Sequence, residues 1–365
     1  MPWRHLVITL EIMSGIRSAS ESHFKILSIL ILLLFWGLPQ TKASVVPRER
    51  ISFNDHWRFT QNDPAGIGDE LNYTNLKPWI LATGAAFTTN PSTAGPPGNP
   101  GAEVSYTQPG FDDRVWQLVN LPHDWAIGRP FEQKYNGETA KLKYWGPVWY
   151  RKHFDIPATD SGKEIFLDID GAMSRSEVWL NGQFVGGWPY GYESFELDLT
   201  PYLKFGGKNV LAIRLDSPPK SSRWYPGAGI YRNVWLVKTA PVHVAHWGTF
   251  VTTPEVSEAK ATIKIQFTVE NDLESNSWAV VENEIYELGS NGVKGKKVKI
   301  LAANSSIARP VLNLAANKSE MVWEELTFAN PKLWSLEKPN RYVVVTSLLR
   351  DGKLLDRYET PFGIR

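Results

Sequence analysis

An all-β fold built from sandwiches is the architecture this sequence predicts, and three observations predict it. Apolar and polar residues alternate with a period of two, as in Ile165, Leu167 and Ile169 against Phe166, Asp168 and Asp170. The dipeptides Asn181-Gly182 and Asp351-Gly352 stand between such runs, where a tight hairpin needs residues that accept positive φ. Beyond the N-terminal apolar segment, no amphipathic pattern of ten or more helical residues is evident, so sandwiches are expected throughout.

The elements follow in order. Lys25 precedes the apolar run Ile26 to Leu38, which has the length of a signal-peptide core and is short for a membrane span. Thr41-Lys42-Ala43 offers small residues where a signal peptidase reads, so residues 1–43 are taken as a targeting segment cleaved after Ala43. Met13 is an alternative start, and an uncleaved anchor is the alternative fate. Once the segment is cleaved no stable membrane span is expected, and a secreted or periplasmic location follows. The chain has no cysteine, which export permits, since domains of this size are stable from core burial.

Residues 44–240 hold most of the tryptophans, and 241–365 few aromatics, so the seam is placed at Ala240-Pro241. With 365 residues, 42% of them hydrophobic, roughly two domains are expected. The Gly- and Pro-rich stretch 84–110 reads as a long loop, either a functional lid or decoration. Val178-Trp-Leu180 and Gln183-Phe-Val185 flank the Asn181-Gly182 turn. Ile263, Ile265, Phe267 and Val269 give a strand with one wet face, and Tyr342 to Leu349 pairs with Lys353 to Tyr358 across Asp351-Gly352.

Lys and Arg number 39 against 38 Asp and Glu, with no block of like charge, so a nucleic-acid partner is excluded as the expectation. What stands out is a set of aromatic, Gly/Pro-rich corners: Leu121 to Trp125, Lys143 to Tyr150, Gly186 to Tyr192 and Ser222 to Arg232. A sugar offers C–H patches on one face and hydroxyls at its edge, so its site wants rings beside carboxylates and guanidinium groups. Those types meet at Asp124, Trp125, Trp188, Arg223 and Trp224. Packing of corners is the competing role for each ring, and holding its own loop the competing role for Asp124.

Other chemistries are poorly served. His123-Asp124 lacks a nucleophile elbow, and adjacent residues on a strand point to opposite faces. His243 and His246 lie far in sequence from any other histidine and read as surface residues; no metal site and no cofactor are expected. Glycoside hydrolysis needs two carboxylates, about 5 to 5.5 Å apart in retaining enzymes. Asp168 and Asp170 share a strand face, but a solvated face has the same pattern. The sequons at Asn72, Asn304 and Asn317 matter only in a glycosylating host.

Six strings in order carry a resemblance: Trp116 to Trp125, Trp149 to Phe154, Phe166 to Gly186, Gly191 to Tyr202, Ser222 to Leu236 and Asn330 to Pro339. Over nearly all of residues 50–365 the chain resembles family 2 glycoside hydrolases, especially the β-galactosidases of Gram-negative gut and marine-type bacteria. The resemblance implies a jelly-roll sugar-binding domain, an immunoglobulin-like sandwich, and then a (β/α)₈ barrel carrying the acid/base and nucleophile glutamates of a double displacement. Phe362 to Arg365 matches the lead into that barrel, which needs roughly 250 more residues. The expectation is therefore a non-catalytic front half: no catalytic residue in this chain, no turnover by it alone, and a missing or separate barrel as partner.

By the same resemblance Asp124, Trp125, Arg223 and Trp224 are the residues expected to approach a β-galactoside or related glycan. Some relatives carry an aspartate just before the tryptophan of the last corner, where this chain has Ser222-Arg223. A free-standing carbohydrate-binding protein and a purely structural subunit of a split enzyme are the rival readings, and an oligomer is left open. Exposed rings on the first domain would favour binding; a bare apolar patch at the domain junction or around Phe362 would favour scaffolding.

Overall fold

Strand pairing accounts for most of the architecture of the computed structural model, which describes residues 47–84, 95–306 and 311–365. The targeting segment lies outside the described residues. From Pro47 the first strands are β1 (Glu49–Ser52), β2 (Trp57–Gln61), β3 (Gln117–Val119), β4 (Gly146–Ile156) and β5 (Glu164–Ile169). There follow β6 (Ser176–Leu180), β7 (Gln183–Trp188), β8 (Phe195–Asp198), β9 (Gly207–Ser217) and β10 (Val234–Thr239). They form a six-stranded sheet, β3-β2-β4-β9-β6-β7, facing a four-stranded one, β1-β10-β5-β8. Ile165, Leu167 and Ile169 of β5 meet Val148, Tyr150 and Ile213 of the opposite sheet in the core between them. This is the jelly-roll sandwich, and Asn181 and Gly182 turn its β6–β7 hairpin with φ of 54° and 83°.

The six-stranded sheet is apolar on both faces. Val148, Val178 and Ile213 point into the main core, whereas Trp149, Trp179 and Ala212 point outward into a second one. The chain between β2 and β3 covers that outer face. It includes helix α1 (Tyr73–Thr83), 11 residues long, which the sequence reading did not expect. The reason is that α1 buries only Leu76 and Ile80 and carries Pro78 inside, so it shows no broad apolar stripe.

Trp149 and Trp179 stack with centroids 5.5 Å apart, and Leu71, Ile80, Val104 and Trp116 close over them. Residues 95–110 of the long loop belong to this cover. Asn99 donates to the Gly182 carbonyl at 2.8 Å, and Trp179 Nε1 donates to the Pro100 carbonyl at 2.7 Å. This stretch is a packed cover; residues 85–94 lie outside the described residues.

The second sandwich comprises β11 (Val242–Val256), β12 (Lys260–Asn271), β13 (Ser277–Leu288), β14 (Lys294–Lys297) and β15 (Ile300–Ser305). It is completed by β16 (Val311–Leu314), β17 (Lys318–Ala329), β18 (Arg341–Arg350) and β19 (Lys353–Phe362). Sheet β11-β12-β17-β15 packs on β14-β13-β18-β19, with β16 paired to β13. Ile263, Ile265, Phe267 and Val269 supply one side of its core, and Ile285, Val344 and Leu348 the other. Asp351 and Gly352, at φ of 50° and 71°, turn the β18–β19 hairpin.

Where the sandwiches meet, three sequence readings need correction. His243 and His246 are not surface residues: His243 is buried, 3.2 Å from Glu270, and His246 Nδ1 lies 3.1 Å from Glu196. The polar face of β5 is not solvated either, since Asp168 is buried with its carboxylate 3.0 Å from Arg50. Arg48 clasps Asp356 through two 2.9 Å hydrogen bonds and tethers the start of β1 to the second sandwich. Alternation identifies the polar face of a strand; it does not reveal that another sheet will cover that face.

These histidines give a prediction. Burial lowers the pKa of each, but the hydrogen bonds to Glu270 and Glu196 outweigh it, and both end above the usual histidine value. A histidine whose pKa is raised on folding stabilises fully below about pH 6.5 and loses that contribution as pH rises through the folded value. The melting temperature is expected to fall from pH 6 to pH 9 and to fall less in a His243→Gln variant. An identical slope in both proteins would remove His243 from the account.

Candidate functional site

The corner after β3 is held by the segment that leads into β10. His123 N–H donates to the Ile230 carbonyl at 2.8 Å and Trp125 N–H to the Ala228 carbonyl at 3.0 Å. Gly229 permits the approach, because a Cβ there would stand 2.3 Å from the Tyr150 hydroxyl and 2.7 Å from the His123 carbonyl oxygen. The two corners singled out in the sequence, around Asp124 and around Arg223-Trp224, are thereby brought side by side.

Asp124 joins them. Its Oδ1 accepts the N–H groups of Ala126 and Ile127, at 3.0 and 3.2 Å, and the Tyr225 hydroxyl at 2.5 Å. Burial, and then the Asp124 charge, push the Tyr225 pKa far up, so Tyr225 remains a donor. Oδ2 takes none of these bonds. Trp125 is packed in the main core with the Arg129 guanidinium 4.8 Å from its ring centroid, a position from which it supports the corner.

Arg223 is exposed. Trp224 is 58% exposed, and its Nε1 donates to the Tyr192 hydroxyl at 2.9 Å, which in turn donates to the Pro226 carbonyl at 3.1 Å. Tyr190, 52% exposed, meets Tyr192 edge-on at 5.6 Å. Trp224, Tyr192 and Tyr190 thus form a solvent-facing aromatic patch in which hydrogen bonds fix Trp224 and Tyr192. Sequence reasoning named Trp224 but not the two tyrosines or Tyr225. Their signal was proximity within the same Gly/Pro-rich strings, which does not say which ring faces out.

Carboxylates buried elsewhere in the first sandwich are held by cations. Arg50 lies 3.0 Å from Asp168 and 3.5 Å from Asp170, tying up the pair that shares a face of β5. Burial pushes Glu177 up to about 8, yet it is sealed between the cores against Arg214 at 3.0 Å, away from any cleft. His123 pairs with the Tyr150 hydroxyl at 2.9 Å and is pushed down by burial. Among the described residues no cluster of three or more potential ligands is placed to hold a metal.

Two family descriptions match the chain in turn. Residues 119–240 match "Glycosyl hydrolases family 2, sugar binding domain", and residues 242–365 match "Glycosyl hydrolases family 2". The chain is 36% identical over 331 residues to the β-galactosidase BoGH2A of Bacteroides ovatus, an alignment covering 90% of this chain and 33% of that protein. It is 28% identical to a β-glucuronidase of Formosa agariphila, covering 70% of this chain and 27% of that one. A crystal structure of a family 2 glycosyl hydrolase from Bacteroides cellulosilyticus superposes with a TM-score of 0.65 at 30% identity, covering 87% of this chain and 36% of that one. The chain spans about a quarter to a third of the length of these relatives.

Proposed function

This chain belongs to glycosyl hydrolases family 2, and from that membership we propose that it supplies the glycan-recognition and scaffold part of a β-galactosidase-like enzyme. Residues 44–240 are assigned to recognition and 241–365 to the immunoglobulin-like scaffold, with residues 1–43 directing export. Among the described residues there is no (β/α)₈ barrel, and no helix is long and apolar enough to cross a membrane. Turnover of terminal β-galactosides is accordingly assigned to a barrel, whether in a longer chain or in a separate subunit.

The observation that carries the reading is the aromatic patch of Trp224, Tyr192 and Tyr190 beside Asp124. Scaffolding alone does not call for three exposed rings, whereas a pyranose stacks on a ring while a carboxylate and a guanidinium meet its hydroxyls. Asp124 Oδ2 and the Arg223 guanidinium are the polar groups assigned to that task, with Trp224 as the platform.

Titration calorimetry with methyl β-galactoside, lactose and a β-glucuronide tests this. Millimolar or tighter binding of a β-galactoside is expected, weakened about tenfold, or ~1.4 kcal/mol, by Trp224→Ala at unchanged melting temperature. Failure of all three sugars to bind, or full affinity in the variant, would overturn the assignment.

A further inference from the structure

We propose that a groove between the two sandwiches is a second saccharide site, with Trp247 as its stacking platform. The inference deepens the recognition role assigned above and rests on it, but it concerns different residues, partly from the other sandwich.

The ladder between β11 and β12 is in register up to Val244 and resumes at Thr249, so the intervening residues of β11 bulge out of the sheet. Bulges re-aim side chains and gather at functional sites. Here the bulge sends His246 back to Glu196 of the first sandwich and turns Trp247 outward, 66% exposed. Trp247 has a φ of 49°, a left-handed conformation that costs a bulky residue free energy. Gly248 is required by the same geometry, because a Cβ there would stand 2.8 Å from the Ala245 carbonyl oxygen. Packing among the described residues does not account for a tryptophan held strained and open to water.

What Trp247 faces is a cavity of about 810 Å³, within the range of small-molecule sites, at a junction of the kind where such sites recur. Trp188 and Tyr192 line it from the first sandwich, and Arg50, Asp170 and Arg232 supply polar groups. Arg50 is steadied over the Trp235 ring at 3.8 Å and by Asp170 at 3.5 Å.

The chemistry of this lining selects the ligand class. Guanidinium and carboxylate groups stand side by side, so a ligand of either net charge meets a repelling neighbour. Hydroxyls donate to one and accept from the other, and the rings take C–H faces. A neutral saccharide satisfies all of these, and the geometry makes it a bridge between the sandwiches. Tyr192 touches both this groove and Trp224, so the exposed rings run from one recognition surface to the other.

The test uses the purified full chain and lactose as probe, with affinity read by calorimetry and folding by melting temperature. Trp247→Ala is expected to weaken lactose binding at least tenfold, and Trp247→Phe, which keeps a ring, to stay within about threefold of the wild type. Arg232→Ala, at an exposed position, is expected to weaken it several-fold and decides the matter should Trp247→Ala fail to fold. Undiminished affinity in both alanine variants, with loss in Trp224→Ala, would overturn the groove and leave the first surface standing. No lactose binding by the wild type would overturn both.

Discussion

Arg214→Met is expected to cost about 3 to 5 kcal/mol of folding stability, the range seen when one partner of a buried ion pair is removed. Arg214 is 2% exposed in the second core, and it holds three groups at once. Nε and Nη2 donate to Asp63 at 2.7 and 2.8 Å, and Nη1 donates to the Leu71 carbonyl at 2.8 Å and to Glu177 at 3.0 Å. Methionine fills the volume of the stem and supplies none of these donors, so the fully buried Glu177 carboxyl and Asp63 lose their partner and the segment that leads into α1 loses its anchor.

The deficit carries a pH signature. Burial already raises Glu177 to about 8, and loss of Arg214 raises it further. Below about pH 8 both folded proteins keep Glu177 protonated and the gap between them is level; above it Glu177 ionises only where Arg214 is present, so the gap is expected to widen as pH rises from about 8 to 10. Adding Glu177→Leu should recover part of the loss, because an apolar side chain leaves no orphaned carboxyl. Urea midpoints at two pH values measure both. A gap that stays level above pH 8 would mean that lost packing, and not the stranded carboxyl, dominates.

Gly229→Ala is expected to be the most damaging single-carbon change at the recognition corner. The added methyl collides with the Tyr150 hydroxyl and with the His123 carbonyl oxygen, and φ is 103°, where an L side chain is strained. Overpacking costs roughly 1 to 3 kcal/mol and such a backbone conformation a similar amount, so a loss of about 3 kcal/mol or more is expected. The His123 and Trp125 hydrogen bonds to residues 228–230 cannot survive the displacement intact, so Asp124 should part from Tyr225. Lactose affinity should then fall even at temperatures where the variant stays folded. A variant with native melting temperature and native affinity would show that the corner yields without strain.

Much of this was legible before any coordinates. Alternation in Ile165, Leu167 and Ile169, and in Ile263 to Val269, located strands and their core faces, because a pleated strand shows its two sides to different surroundings. Asn181-Gly182 and Asp351-Gly352 specified their hairpins through local φ preference alone. The corners at Asp124 and Trp224 stood out by residue type, and the family by the order of its strings. Helix α1 was missed because its burial comes from a few residues and one proline obscures them.

Local preference and periodicity, which act within a few residues, therefore determined the strands and the turns of this protein, and the resemblance of its ordered strings pointed to the family. Tertiary structure alone decided that His243 and Asp168 are buried, that Trp224 and Trp247 face water while Trp125 does not, and that Asp124 spends one oxygen on Tyr225. Each of those outcomes depends on which distant segment covers a given face, and the long-range contacts that settle it leave no periodic trace in the sequence.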